Sequence, residues 1–246
     1  VDDLSNSGIE VLDNIEKISG IKPVFEQFDL SERDKTEDFF KRNTDIEAII
    51  HFAASKAVGE SVEKPLHYYR NNLVSLMNLL ECQLKFDVSS IVFSSSCTVY
   101  GQPEKLPVTE ETPRKDAESP YGNTKRVNED ILSDTIKANP QIKGIALRYF
   151  NPIGAHPSAL IGELPLGVPQ NLVPFITQTA AGLRDELKVF GDNYDTPDGS
   201  AIRDYINVVD LAKAHVVAIG RLLKKKFKNN YEVFNLGTGK GLSVLE

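Results

Sequence analysis

The sequence predicts an α/β fold: a doubly wound parallel sheet with a second, smaller α/β region. Three observations carry that reading. Short runs of β-branched and aromatic residues alternate with longer helical segments, the runs are nearly continuously apolar, and small or polar residues follow each of them. Strand, helix, strand alternation with apolar strands is the pattern of a parallel sheet covered on both faces.

Taken in order, the strand runs are Pro23–Phe28, Ala48–Phe52, Ser90–Ser94, Ile142–Phe150, Leu187–Phe190 and Tyr231–Leu236. Between the first four lie helical segments at Glu32–Arg42, Pro65–Phe86 and Pro120–Ala138. The last of these starts well: Ser119 suits the N-cap, and Pro120 suits the first helical position, where its missing N–H would have had no partner. Lys224–Lys226 with Lys228 follows an apolar-periodic segment, as expected of a helix end placing cations at the negative end of its dipole. Residues 1–150 thus read as a Rossmann-like domain. From Asn151 to Pro174 proline and glycine are frequent, and Asp192–Ser200 is irregular, so 151–246 reads mainly as a looser substrate-binding region, with segments near 203–236 possible returns to the main sheet.

With 246 residues and 41% hydrophobic content, there is ample material for a core. The net charge of −7 and the dispersed basic residues argue against a nucleic-acid surface. No run reaches the roughly 18 apolar residues of a membrane span. Cys82 and Cys97 are the only cysteines, which points to a reducing, cytoplasmic compartment. His51, His67, His156 and His215 lack metal-ligand spacing, so all four read as structural and no metal is expected.

Open sheets bind ligands at the carboxyl ends of their strands. There Phe28 is followed by Asp29, Phe52 by Ala53 and Ala54, Phe93 by Ser94, Ser95 and Ser96, and Phe150 by Asn151. Small residues let a flat or charged ligand approach the backbone. In SPYGNTK, Tyr121 and Lys125 lie four residues apart, hence on one helical face about 6 Å apart. An ammonium there favours ionised phenol and makes a tyrosine usable as a base. Alone, the pair reads rather as a capped helix start with a solvated charge, since the chain has eight tyrosines and many lysines.

Ser96, Tyr121, Lys125 and Asn151 nonetheless belong on one sheet edge. That set resembles the extended short-chain dehydrogenase/reductase superfamily acting on nucleotide sugars. Six words in order narrow the resemblance: HFAASKAVGES, SSSCTVYG, SPYGNTK, LRYFNPIGAHPS, PQNLVPF and IRDYINVVDLA. Together they resemble the UDP-glucose 4-epimerase family over nearly the whole chain. Two family features are missing from the sequence: the glycine-rich turn that holds the NAD pyrophosphate, and the C-terminal part of the substrate region. The chain is therefore expected to be a fragment that binds NAD weakly by itself. Gly237–Gly241 follows a late strand with the wrong spacing for that turn and reads as an ordinary strand-to-helix turn.

The resemblance implies reversible, NAD-dependent epimerisation of UDP-glucose and UDP-galactose at C4 through a 4-keto sugar. Tyr121 would be the base, Lys125 would lower its pKa, and Ser96 would hydrogen-bond the reacting oxygen. The NAD set would be Asp2, Asp29, Leu30, Phe52, Ala53, Ala54, Lys56, Asn71 and Phe150, with Ser96, Tyr121 and Lys125. Ala54 stands where the family usually has glycine. Asn151, Asn171 and Arg203 would hold the UDP-sugar, with Lys56, Ser96, Tyr121 and Tyr149 near the sugar. An arginine suits the diphosphate because its planar fork meets two oxygens; without the family, Arg203-Asp204 reads as an ion pair. A homodimer through Pro65–Phe86 and Pro120–Ala138 is also implied. A dehydratase would be expected to place acidic residues just after the serine strand, where Cys97-Thr98 stand here. Another nucleotide-sugar epimerase or decarboxylase and a non-catalytic nucleotide sensor are the alternatives.

Overall fold

The computed structural model describes residues 1–246, which divide into two compact units. Unit 1 comprises Val1–Asp3, Phe25–Tyr149 and Lys213–Leu236; unit 2 comprises Leu4–Val24, Phe150–Ala212 and Gly237–Glu246. Leu4–Val24, grouped with residues 1–150 in the sequence reading, thus clusters with unit 2, while Tyr231–Leu236 lies in the main sheet.

Unit 1 is built on four parallel strands, β1 (Ala48–His51), β2 (Ser90–Ser96), β3 (Lys143–Tyr149) and β6 (Tyr231–Leu236), in the order β1-β2-β3-β6. Every residue of β2 is buried, as expected of a central strand covered on both faces. The face carrying Ile91, Phe93 and Ala146 packs against Leu76 and Leu80 of α4 (Pro65–Lys85) and Leu132 and Ile136 of α5 (Pro120–Ala138). On the other face Val92, Ile145 and Leu147 meet Ala218 and Leu222 of α7 (Val208–Leu223). Each fully buried Val, Leu, Ile or Phe among them contributes about 1.5–3 kcal/mol, so these two layers hold the sheet. A third cluster joins Phe40 of α2 (Arg33–Arg42) to Leu79, Cys82 and Val88. The short α3 (Val58–Glu63) precedes α4.

Two expected strands do not form. Pro23–Phe28 is extended but makes only a single parallel bridge, Gln27 with Asp2, and Leu187–Phe190 is irregular and exposed. β-forming side chains give a strand only where another backbone supplies ladder hydrogen bonds. The three expected helices are present, and α7 ends at Leu223, just before the lysine run.

Unit 2 holds a small sheet in the order β4-β5-β7, with β4 (Asn151–Ile153) parallel and β7 (Gly241–Ser243) antiparallel to β5 (Ile202–Asn207). It also contains α1 (Glu10–Ser19), held to the Leu160 carbonyl by Asn14, and α6 (Leu172–Ala180). No helix is long and apolar enough to cross a membrane.

Candidate active site

The carboxyl ends of β1, β2 and β3 gather the candidate residues of unit 1. Ser96 closes β2 and caps the 3-10 turn Cys97–Tyr100, its hydroxyl accepting from Thr98 N. α5 begins as the sequence predicts: the Ser119 hydroxyl accepts from Gly122 N at 3.1 Å, and Pro120 takes the first position. Gly122 has a reason beyond the cap, since a Cβ there would lie 3.2 Å from Thr98 Cβ and 3.3 Å from Ala117 Cβ. The missing side chain lets the first turn of α5, with Tyr121, press against the turn that follows Ser96.

Tyr121 and Lys125 are both buried. The Lys125 ammonium donates to the Ser94 carbonyl at 2.7 Å and lies 5.1 Å from the Phe93 ring centre and 5.9 Å from that of Tyr121. Burial pushes its pKa down to about 8. Burial likewise raises the Tyr121 pKa above the ordinary phenol value, the neighbouring Tyr149 adds to this, and the Ser96 hydroxyl opposes it. The resemblance implies that Lys125 lowers the phenol pKa; burial is the larger influence in this setting. One of the three ammonium N–H groups is given to a main-chain carbonyl, and desolvation sets the direction of the phenol's shift.

On the α7 side of the sheet His215 is buried, its Nε2 3.3 Å from Ser94 Oγ. Its ring lies 4.4 Å from Phe52 and 6.2 Å from Tyr149. Tyr149 has its pKa raised by burial, with Ser94 opposing. Phe52 is not a buried strand residue: it sits just past β1 and is 53% exposed. His51 is buried against Phe93 with Nδ1 unpartnered, and burial, helped by the Lys125 charge, pushes its pKa down to about 3.

The segment 52–56 is fastened from below by a residue that sequence reasoning missed. Asn72 of α4 accepts from Ser55 N at 2.8 Å and donates to Ser55 O and Thr124 Oγ1, both at 3.0 Å. Asn71, the expected neighbour, donates to Ser55 Oγ and Asn72 Oδ1. The available signal was polarity on the core-facing side of two helices: Asn72 and Asn78 on α4, and Thr124, Lys125, Asn128 and Glu129 on α5, are all buried. Asp29 ends the extended run before α2 and accepts from Ser31 N, and the Leu30 carbonyl accepts from Asn78 and Thr36. Asp2 is exposed and paired with Gln27. Small Ala53 and Ala54, the exposed Phe52 and the exposed Lys56 fit a dinucleotide running over this edge.

The remaining candidates belong to unit 2. Phe150 is half-buried at its start, and Asn151 on β4 is exposed, opposite Tyr205. Asn171, at the N-cap of α6, donates to Glu163. Arg203 on β5 is exposed and donates to the Ile202 carbonyl. Asp204 instead grips the glycine-rich turn, accepting from Thr238 N, Thr238 Oγ1 and Gly239 N at 2.8–2.9 Å. Gly237–Gly241 is accordingly a turn wrapped on a carboxylate, and it leads from β6 into β7 rather than into the helix the sequence reading expected.

A serine, a tyrosine and a lysine gathered on the ligand-binding edge of a parallel sheet define the short-chain dehydrogenase/reductase class. Residues 2–237 match the NAD dependent epimerase/dehydratase family. Over its whole length the chain is 48% identical to the UDP-glucose 4-epimerase of Dictyostelium discoideum and 49% identical to that of Bacillus subtilis, spanning 70% and 71% of them. A crystal structure of UDP-glucose 4-epimerase from Bifidobacterium longum in complex with NAD+ and UDP superposes with a TM-score of 0.93 at 49% identity, covering all of this chain and 72% of that one. The enzyme from Stenotrophomonas maltophila, solved with NAD and formylated UDP-arabinopyranose, gives 0.93 at 46% identity, with 100% and 71% covered. The chain belongs to the NAD dependent epimerase/dehydratase family, in its UDP-glucose 4-epimerase branch.

Proposed function

We propose that this chain carries the catalytic centre of an enzyme that interconverts UDP-glucose and UDP-galactose at C4 through a 4-keto sugar. The observation that carries the reading is the meeting of Ser96, Tyr121 and Lys125 at the carboxyl end of β2 in a chain of this family. NAD, when bound, supplies reversible hydride acceptance, so the overall reaction is redox-neutral. Asp2, Asp29, Leu30, Phe52, Ala53, Ala54, Lys56, Asn71 and Phe150 would hold it.

Tyr121 takes the proton of the sugar 4-hydroxyl and later returns it. Ser96 hydrogen-bonds the same oxygen and opposes the rise that burial imposes on the phenol. Lys125 keeps a positive charge beneath the ring and anchors to β2 through the Ser94 carbonyl. Asn151 and Asn171 would hydrogen-bond the sugar and diphosphate and Arg203 would pair with the diphosphate, with Lys56 and Tyr149 near the sugar. Tight anchoring of the diphosphate with a loose sugar pocket allows both ring faces to be presented.

The finer reading is a cytoplasmic homodimer. Exposed Leu66, Met77 and Leu84 on α4 support an apolar helix-to-helix contact, and the low cysteine content, Cys82 and Cys97 alone, fits a reducing compartment. Sedimentation and cell fractionation test these two statements.

The decisive experiment follows UDP-galactose conversion to UDP-glucose by the complete enzyme without added reductant, beside Tyr121→Phe. A loss of about 100-fold to 10,000-fold is expected for the variant. No interconversion by the wild type, or an unimpaired variant, overturns the reading.

A further inference from the structure

Glu129 lies four residues beyond Lys125 and eight beyond Tyr121, on the same buried face of α5. Its carboxylate faces the sheet. Oε1 accepts from Ser95 Oγ at 2.5 Å and from Arg148 Nε at 2.8 Å, and Oε2 accepts from Arg148 Nη2 at 2.6 Å. Ser95 and Arg148 are register partners on β2 and β3, and the next pair along is Ser96 and Tyr149. Arg148 Nη1 also donates to Tyr100 Oη, which donates to Asn235 of β6. Arg114, from the segment before α5, reaches Glu129 at 3.4 Å and Asp130 at 2.5 Å.

We propose that Glu129 is a positioning residue: its carboxylate pins the face of α5 that carries Tyr121 and Lys125 to the ends of β2 and β3, one register step from Ser96. This rests on the epimerase reading of the same site. Below Glu129, α5 meets the sheet through Leu132 and Ile136, whose apolar contacts are non-directional and tolerate sliding. The bidentate arginine pair is directional and fixes one helix setting. A buried ion pair contributes little net stability against an apolar replacement of similar volume. What this one supplies is register. A proton transfer between the sugar oxygen and Tyr121, with Ser96 sharing that oxygen, needs that register, because displacements near 1 Å cost on the order of 100-fold in rate.

The test uses the complete, NAD-loaded enzyme, with kcat expressed per bound NAD so that misfolded protein does not count. Glu129→Gln is expected to lower kcat about 100-fold, with KM and UDP affinity within twofold of wild type. Ser95→Ala removes one hydrogen bond and leaves no charge unpaired; it is expected to lower kcat about fivefold with KM unchanged. If Glu129→Gln does not fold, Ser95→Ala decides alone. A kcat within twofold of wild type in the folded variants, or a loss confined to KM, overturns the positioning role while the epimerase reading stands. A wild-type enzyme that interconverts nothing overturns both.

Discussion

Lys125 Nζ donates to the main-chain carbonyl of Ser94 at 2.7 Å, joining α5 to β2 two residues before Ser96. The contact places a buried cation beneath the candidate base and gives one of its three N–H donors to the strand. It is a costly arrangement, because burial alone lowers the lysine pKa from 10.5 to about 8.

That cost gives the first prediction. Between about pH 8 and 10.5 the unfolded chain keeps a proton on Lys125 that the folded chain has released. Stability therefore rises with pH through that window, and the penalty is full below it. Lys125→Met should be about 1–3 kcal/mol more stable than wild type at pH 7, the gap closing as pH approaches 10.5, while epimerisation falls at least 100-fold. Melting curves across pH check this. A variant less stable than wild type at pH 7 contradicts it.

Ser96 opposes the burial that raises the Tyr121 pKa. Ser96→Ala should move the acid limb of the kcat profile to higher pH, besides lowering kcat about 100-fold. Profiles of kcat against pH for the two proteins decide it, and a limb that stays in place or moves down rules the idea out.

Asn72 holds the 52–56 segment through Ser55 N and Ser55 O, and α5 through Thr124. Asn72→Ala should cost about 2–4 kcal/mol in urea unfolding, since four hydrogen bonds and their partners are affected. It should also weaken NAD binding about tenfold or more. Unchanged NAD affinity would separate Asn72 from the cofactor edge.

In unit 2, a Cβ at Gly237 would lie 2.6 Å from Asp204 Oδ2 and 2.8 Å from Phe150 Cδ2, whereas Gly239 has open space and φ +73°. Gly237→Ala should cost about 1–3 kcal/mol through this crowding, more than the roughly 1 kcal/mol of backbone strain expected for Gly239→Ala. Thermal melts rank the two, and the reverse order contradicts the account.

His51 is held neutral, its pKa lowered from 6.5 to about 3. The unfolded chain binds a proton through that window and the folded chain does not, so stability falls as pH drops from 6.5 towards 3. The slope reaches about 1.4 kcal/mol per pH unit. His51→Leu should lose this share of the acid sensitivity. Parallel acid-unfolding curves for variant and wild type would count against it.

Much of the fold was legible because its signals are local. Ser119 and Pro120 set the start of α5, the apolar runs at Ala48, Ser90, Ile142 and Tyr231 became paired strands, and the lysine run marked the end of α7. Pro23–Phe28 and Leu187–Phe190 have the same texture and are not strands, since pairing depends on a neighbour the run itself does not specify. Likewise Tyr121 and Lys125 were readable by helical spacing, whereas Asn72 and His215 lie far from them in sequence, as do Ser95 and Arg148, the partners that give Glu129 its role.

The sequence by itself determined the α/β class, the phase that puts Tyr121 and Lys125 on one buried face, and the words that carry the family. All of these follow from periodicity, capping and residue order. Only the tertiary structure decided where the charges go: the Lys125 ammonium to Ser94 O, the Glu129 carboxylate to Ser95 and Arg148, and the phenol into a desolvated setting that raises its pKa. Desolvation and hydrogen-bond direction depend on which distant elements pack around a group, and one-dimensional spacing does not encode that.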